Sequence, residues 1–244
     1  ADLRKVNIRS KREHYHVPSV DELFRQIGTK AFITKFDLKS GYLQIPLTED
    51  AKGKLNVWVG SKMYHYTRMP FGVVTASFLF QRVVEYELRH LVGPNGPKAF
   101  AYQDDILICS DSAEEHIQDV HDALVALRDC GLRAHPGKSV LGAQSVEWLG
   151  FMLAPGKLCP DEAKVQAIAS MRTPTNVSEL RSVLGFANYY RTFVPMFARI
   201  AEPLTRCLVE KGNRFTELWG EEQVIAYASL KAALCKKGNA VRSI

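Results

Sequence analysis

With 244 residues, 46% of them hydrophobic, the chain can bury one large core or two small ones. No apolar run approaches the roughly 18 to 20 residues that span a membrane, and Ala1-Asp2-Leu3-Arg4 carries no initiating Met, signal or transit character, reading instead as an excerpt from a longer polypeptide. Lys and Arg total 32 against 26 Asp and Glu, and a net charge of +6 suits a nucleic-acid partner and an ordinary basic protein about equally.

Five Cys without a C-x-x-C pair give neither a disulfide framework nor a zinc site, and point to reduced thiols inside a cell. The His residues read as core or surface. His14 and His16 would share one face of a strand, and His116 and His121 lie five apart, off the facing positions of a helix.

In chain order, Val20, Leu23, Phe24 and Ile27 at helical spacing predict a helix over 19–27. A strand-like run over 31–36 ends on Asp37 and breaks at Ser40-Gly41. Residues 54–67 read as a strand pair, with Leu55, Val57 and Val59 alternating before a turn at Gly60. After Met69-Pro70-Phe71-Gly72, Thr75 is placed to cap a helix reaching Leu91, with Leu79, Val83 and Val84 inward. Residues 93–97 form a loop.

Two short strands, Phe100-Ala101-Tyr102 and Ile106-Leu107-Ile108, flank Asp104-Asp105. Ser112 with Glu115 spells a capping box for a helix with an apolar stripe of Ile117, Val120, Leu124 and Leu127, stopped by Gly131. A strand over 147–153 pairs with one at 157–159. From Pro160 the pattern is helical: one helix over 161–171, and a second capped by Asn176 with Leu180, Val183, Leu184 and Ala187 inward. The class expected is α+β, an antiparallel sheet backed by helices of the split βαβ kind, with a boundary near 159 before a helical part.

Adjacent carboxylates repel and form strands poorly, so Asp104 and Asp105 need a cation in front of them. Asp37 ends another strand. Each acid alone is an unremarkable turn residue. All three at one edge of a basic, helix-backed sheet would hold two magnesium ions about 4 Å apart, suited to in-line nucleotidyl transfer with pyrophosphate leaving.

Five ordered motifs carry a resemblance. Residues 36–45 (FDLKSGYLQI), 69–72 (MPFG), 102–108 (YQDDILI), Trp148-Leu149-Gly150 and residues 180–191 (LRSVLGFANYYR) resemble the reverse transcriptases of gypsy-type long-terminal-repeat retrotransposons, over nearly the whole chain. The resemblance implies a right-hand polymerase: partial fingers at 1–30 and 43–72, palm at 31–42 and 73–158, thumb at 159–210, a connector start at 211–235, and an unassigned tail at 236–244.

It further implies that Asp37, Asp104 and Asp105 are the catalytic, metal-binding triad, with the Leu38 carbonyl as a further ligand and magnesium, or manganese, as the ion. Tyr42 would exclude a ribonucleotide 2′-hydroxyl by clash, and Phe71 and Gly72 would line the nucleotide pocket. Tyr102, Gln103, Trp148, Leu149, Gly150, Gly185, Asn188 and Tyr189 would contact primer and template. Implied partners are an RNA or DNA template with its primer, a deoxynucleoside triphosphate, and RNase H and integrase domains in a parent polyprotein, in a cytoplasmic particle or the nucleus and without a membrane.

Departures from the family pattern include Ser77 where Pro is usual, Ser139 where Cys often follows Lys138, Lys54-Leu55-Asn56-Val57-Trp58 in the fingers, and Gln103 where a small or hydrophobic residue is commoner. The chain matches only from the middle of the fingers, so the basic finger hairpin that clasps the triphosphate is outside it. The alternative reading is a catalytically inactive remnant that keeps the fold and weak template-primer binding.

Overall fold

A computed structural model describes residues 2–11, 15–209, 215–235 and 242–243. His14 and most of the 236–244 tail therefore lie outside the described residues. The chain divides into two compact units, Ala1–Val146 and Glu147–Ile244.

The N-terminal unit opens with α1 (Arg4–Arg9) and α2 (Val20–Ile27). Ser19 and Glu22 close a full capping box on α2, the Gly28 N–H bonds back to the Phe24 carbonyl, and Leu23, Phe24 and Ile27 are buried as their spacing predicts. Next come β1 (Phe32–Asp37), α3 (Glu49–Lys54) and a hairpin of β2 (Asn56–Val59) and β3 (Lys62–His65). The alternation in this hairpin buries no face of it. Leu55 before it is buried, whereas Trp58, Val59, Met63 and Tyr64 are exposed.

Helix α4 (Ala76–Leu88) stops three residues before Leu91, and Thr75 occupies its N-cap position without a side-chain cap bond. The loop expected at 93–97 is a small hairpin of β4 (Val92–Gly93) and β5 (Gly96–Pro97). Strands β6 (Ala99–Tyr102) and β7 (Asp105–Ser110) join β1 and β8 (Val140–Ala143) in one antiparallel sheet of order β6-β7-β1-β8. Helices α4 and α5 (Ala113–Asp129) back it, sharing a core of Phe36, Phe80, Val84, Ile106, Ile108 and Leu127.

Helix α5 buries only part of the stripe its hydropathy suggests: Leu127 lies in the core and Val120 packs against it. Ile117 and Leu124 are exposed, while His116, Asp119, Ala123 and Leu127 face inward. The inward polar groups are matched by partners from distant segments. Lys98 Nζ donates to Asp119 Oδ1 (3.0 Å), and Ser110 Oγ to Asp119 Oδ2 (2.6 Å). With its proton on Asp119, the Ser110 oxygen accepts from His116 Nδ1 (2.9 Å), so Nε2 must accept from Thr34 Oγ1 (2.8 Å). Glu115 pairs with Lys98 instead of completing the capping box, although Ser112 still accepts from the Glu115 N–H.

Removing Asp119 would leave Lys98 buried with one fewer partner. Asp119→Ala is expected to cost about 3 kcal/mol or more, read as a fall in the denaturant midpoint. Burial holds the His116 imidazole below its usual range, with Asp119 opposing. The unfolded chain then binds the proton first. Stability is present above the ordinary His value of about 6.5 and declines as pH falls below it toward the folded value.

The C-terminal unit has a second antiparallel sheet, order β12-β11-β10-β9, from β9 (Val146–Trp148), β10 (Phe151–Ala154), β11 (Lys157–Pro160) and β12 (Arg242–Ser243). The single strand expected over 147–153 is split, because Leu149 and Gly150 both take positive φ (50° and 72°) and turn the chain. Helices α6 (Glu162–Ser170), α7 (Val177–Tyr189), α8 (Phe197–Val209), α9 (Phe215–Leu218) and α10 (Glu221–Cys235) follow. Asn176 caps α7, which buries Leu180, Leu184 and Ala187. Past the end of α6, Lys231 Nζ of α10 donates to the Met171 carbonyl (2.7 Å) and Tyr227 Oη to the Arg172 carbonyl (2.8 Å), satisfying an acceptor that the helix leaves open.

Candidate active site

The antiparallel register of β1 and β7 places Asp37 directly opposite Asp105. Directly paired residues project on one face, with Cβ atoms about 5 Å apart. Asp104 joins them from the two-residue loop Gln103–Asp104 between β6 and β7, its carbonyl accepting the Leu38 N–H at 2.8 Å. Acids separated by 67 positions thus meet at one sheet end.

The local electrostatics carry the mark of crowding. Burial raises Asp104 above the usual carboxylate range, and Asp37 and Asp105 push it further, against the pull of Lys138. Burial also raises Asp105, with Asp37 adding to it and Lys35 opposing. The nearest cations sit at loose range, Lys35 Nζ 3.7 Å from Asp105 Oδ1 and Lys138 Nζ 3.6 Å from Asp37 Oδ1. Among the described residues, Asp104 Oδ1 is buried without a hydrogen-bond partner.

An all-oxygen donor set with one orphaned acceptor, whose crowding two lysines only partly offset, fits a hard divalent cation. No group of three or more His, Cys, Asp or Glu among the described residues forms a ready-made metal cage.

Two residues outside the motif acids set this geometry. A β-carbon on Gly41 would overlap Asp104 Oδ1 and stand 2.5 Å from Phe80 Cζ, so only glycine lets the short 3-10 turn Gly41–Gln44 lie against the acid. Gln81, fully buried on α4, accepts the Gln103 N–H (2.7 Å) and donates to the Ala101 carbonyl (2.7 Å), pinning both sides of the hairpin loop. Gln103 itself has φ 54°, a conformation that costs a non-glycine residue about 1 kcal/mol. The MPFG segment is fastened by Asn7 of α1, whose side chain donates to the Gly72 carbonyl (2.7 Å) and accepts the Val74 N–H (3.0 Å).

The Tyr42 ring lies against Phe80 (5.4 Å, edge-on) and Phe71 (5.5 Å), and its hydroxyl reaches Gln103 and Ser77. Phe71 is 58% exposed, a large apolar side chain left facing outward beside that ring. Tyr102 pairs with Asp105 at the hairpin end.

In the C-terminal unit, Trp148 is fully buried, so its indole anchors the turn and is not a contact for a strand. Leu149 and Gly150 form the half-exposed tip. Tyr189 Oη donates to the Leu149 carbonyl (2.6 Å) and Tyr190 Oη to the Gly150 carbonyl (3.0 Å), while the Tyr189 ring stacks on Phe151 at 5.2 Å. Gly185 and Asn188 are exposed, and a β-carbon at 185 would meet nothing within 4 Å.

Comparison with known proteins places this geometry. A profile described as reverse transcriptase (RNA-dependent DNA polymerase) matches residues 2–153. A retrovirus-related Pol polyprotein from transposon gypsy of Drosophila melanogaster is 36% identical over 207 residues, 85% of this chain and 20% of its own length. That from transposon 297 of the same species is 33% identical over 96% of the chain and 22% of its own length. The chain thus spans about a fifth of the curated relatives it matches. Among solved structures, a foamy viral protease–reverse transcriptase in complex with double-stranded DNA shares the fold at TM-score 0.87 and 24% identity, covering 96% of this chain and 40% of the other. The same viral protein in complex with an RNA/DNA hybrid matches at TM-score 0.77 and 25% identity, over 96% and 31%. With three carboxylates gathered at the end of its sheet and so matched, the chain belongs to the reverse transcriptase family.

Proposed function

We propose that the chain is the palm, thumb and partial fingers of an RNA-directed DNA polymerase, which joins a deoxynucleotide to a primer 3′-hydroxyl. The convergence of Asp37, Asp104 and Asp105 at the end of β1 and β7 carries this reading. The three carboxylates, with the Leu38 carbonyl beside them, would hold two magnesium ions, manganese substituting. Bound there, the ions lower the pKa of the attacking hydroxyl and offset charge at the phosphorus and leaving oxygens. Lys138 and Lys35 offset part of the mutual repulsion at Asp104 and Asp105. Tyr42 walls the sugar side of the nucleotide pocket, and the outward Phe71 ring with Gly72 forms its floor. A template-primer duplex and a deoxynucleoside triphosphate are the proposed partners, and RNase H and integrase domains the neighbours in the parent polyprotein.

The C-terminal unit, read as thumb and connector, would follow a duplex along the exposed face of α7. A glycine inside a helix costs up to about 1 kcal/mol, and no packing in the described structure requires one at 185. A close-lying sugar-phosphate backbone does. Gly185→Leu is therefore expected to raise the melting temperature by a few degrees while weakening retention of a labelled template-primer about tenfold in a filter assay. Tighter retention would remove the duplex from this face.

The deciding experiment is magnesium-dependent extension of a DNA primer on an RNA template. Extension by this chain would exclude the second reading, a remnant that keeps only the fold.

A further inference from the structure

We propose that Gln103 and Ser77 determine how strictly this chain rejects ribonucleotides, by pinning the Tyr42 ring through its hydroxyl. This rests on the polymerase reading and adds to it two residues that take no part in the chemistry. A steric wall excludes a hydroxyl only as firmly as the wall is held, because a ring free to swing relieves the clash. Tyr42 is held at both ends. Its ring is seated between Phe80 and Phe71, and its hydroxyl donates to Gln103 Oε1 at 2.7 Å.

The phenol has one proton, so its 2.9 Å contact with Ser77 Oγ must be Ser77 donating to the phenol oxygen. Both partners are themselves fixed. Ser77 stands in the first turn of α4, and the backbone of Gln103 is tied to the buried Gln81 at 2.7 Å. Two positions that depart from the family pattern thus meet at one atom. Neither Pro at 77 nor a hydrophobic residue at 103 could make either bond.

The test compares the dissociation constants of the next correct deoxynucleotide and of its ribonucleotide counterpart. The primer is dideoxy-terminated and on its template, so no bond can form and binding is read apart from turnover. One neutral hydrogen bond corresponds to about fivefold. Gln103→Val and Ser77→Ala are each expected to reduce the ribonucleotide-to-deoxynucleotide ratio about fivefold, and Tyr42→Phe by about the product of the two. Adding Gln103→Val to Tyr42→Phe should change the ratio no further, since the hydroxyl is already gone. Melting temperatures of the same variants should show the same non-additivity, a readout that needs no nucleotide.

An unchanged ratio in the single variants, or a full further loss when Gln103→Val is added to Tyr42→Phe, would overturn the proposal. So would additive melting shifts. Failure of the unaltered chain to bind either nucleotide while melting shifts remain non-additive would instead reject the polymerase reading, and with it any role of the bonds in selection.

Discussion

Asp104→Asn is expected to reduce primer extension by about three orders of magnitude or more, while template-primer retention and folding persist. The amide keeps the shape and loses the charge, and several kcal/mol of transition-state stabilisation depend on that charge. Folding should not suffer. Burial, Asp37 and Asp105 already hold the Asp104 carboxyl above its ordinary value, so its ionised form is disfavoured in the native state.

The sign follows. Between the unfolded value near 4 and the raised folded value, the native chain binds more protons than the unfolded one, and stability declines as pH rises through that window. The neutral amide escapes this decline, so the variant should melt at least as high as the parent at neutral pH. Added magnesium should then raise the melting temperature of the parent more than that of the variant, because a ligand of the native state stabilises in proportion to its affinity. Retained extension by Asp104→Asn would remove the acid from the chemistry.

Gly41→Ala is the second large effect, although the methyl group adds only one carbon. That carbon would overlap Asp104 Oδ1 and press on the fully buried Phe80 ring. Either the acid rotates away or the 3-10 turn carrying Tyr42 lifts. A displacement near 1 Å at a reacting group costs about a hundredfold in rate, and the overpacking costs about 1 to 3 kcal/mol in stability. Steady-state extension together with a denaturant titration would separate the two. A variant with normal rate and normal midpoint would show that the turn has slack.

The acids were legible because their surroundings were local. Asp37 follows a strand-like run, and Asp104-Asp105 interrupts a strand pair, so motif and pattern agree at each. Gly41 and Gln81 were hidden for the opposite reason: their partners lie 63 and 22 residues away, and nothing in a neighbouring residue marks a glycine as a space for a distant carboxylate.

Helix α5 misled because hydropathy assumes that polar side chains seek water. Its inward His116 and Asp119 are satisfied by Thr34, Ser110 and Lys98, which only the folded sheet brings together. Trp148 misled differently. A motif that carries a family resemblance says that a segment matters, and burial then decides which of its residues can be reached from outside.

The pairing of Asp37 with Asp105 makes the hydrogen-bond ladder a ruler for the chemistry. Side chains along a strand alternate between faces, so a single residue inserted between Phe32 and Asp37 would send the first acid to the opposite side of the sheet. Two inserted residues would restore the side but offset the acid by about 7 Å. Such chains could retain much of their hydrophobic interior and still be silent as polymerases, whereas insertions at the Gly93–Gly96 hairpin tip would leave the spacing of the acids untouched.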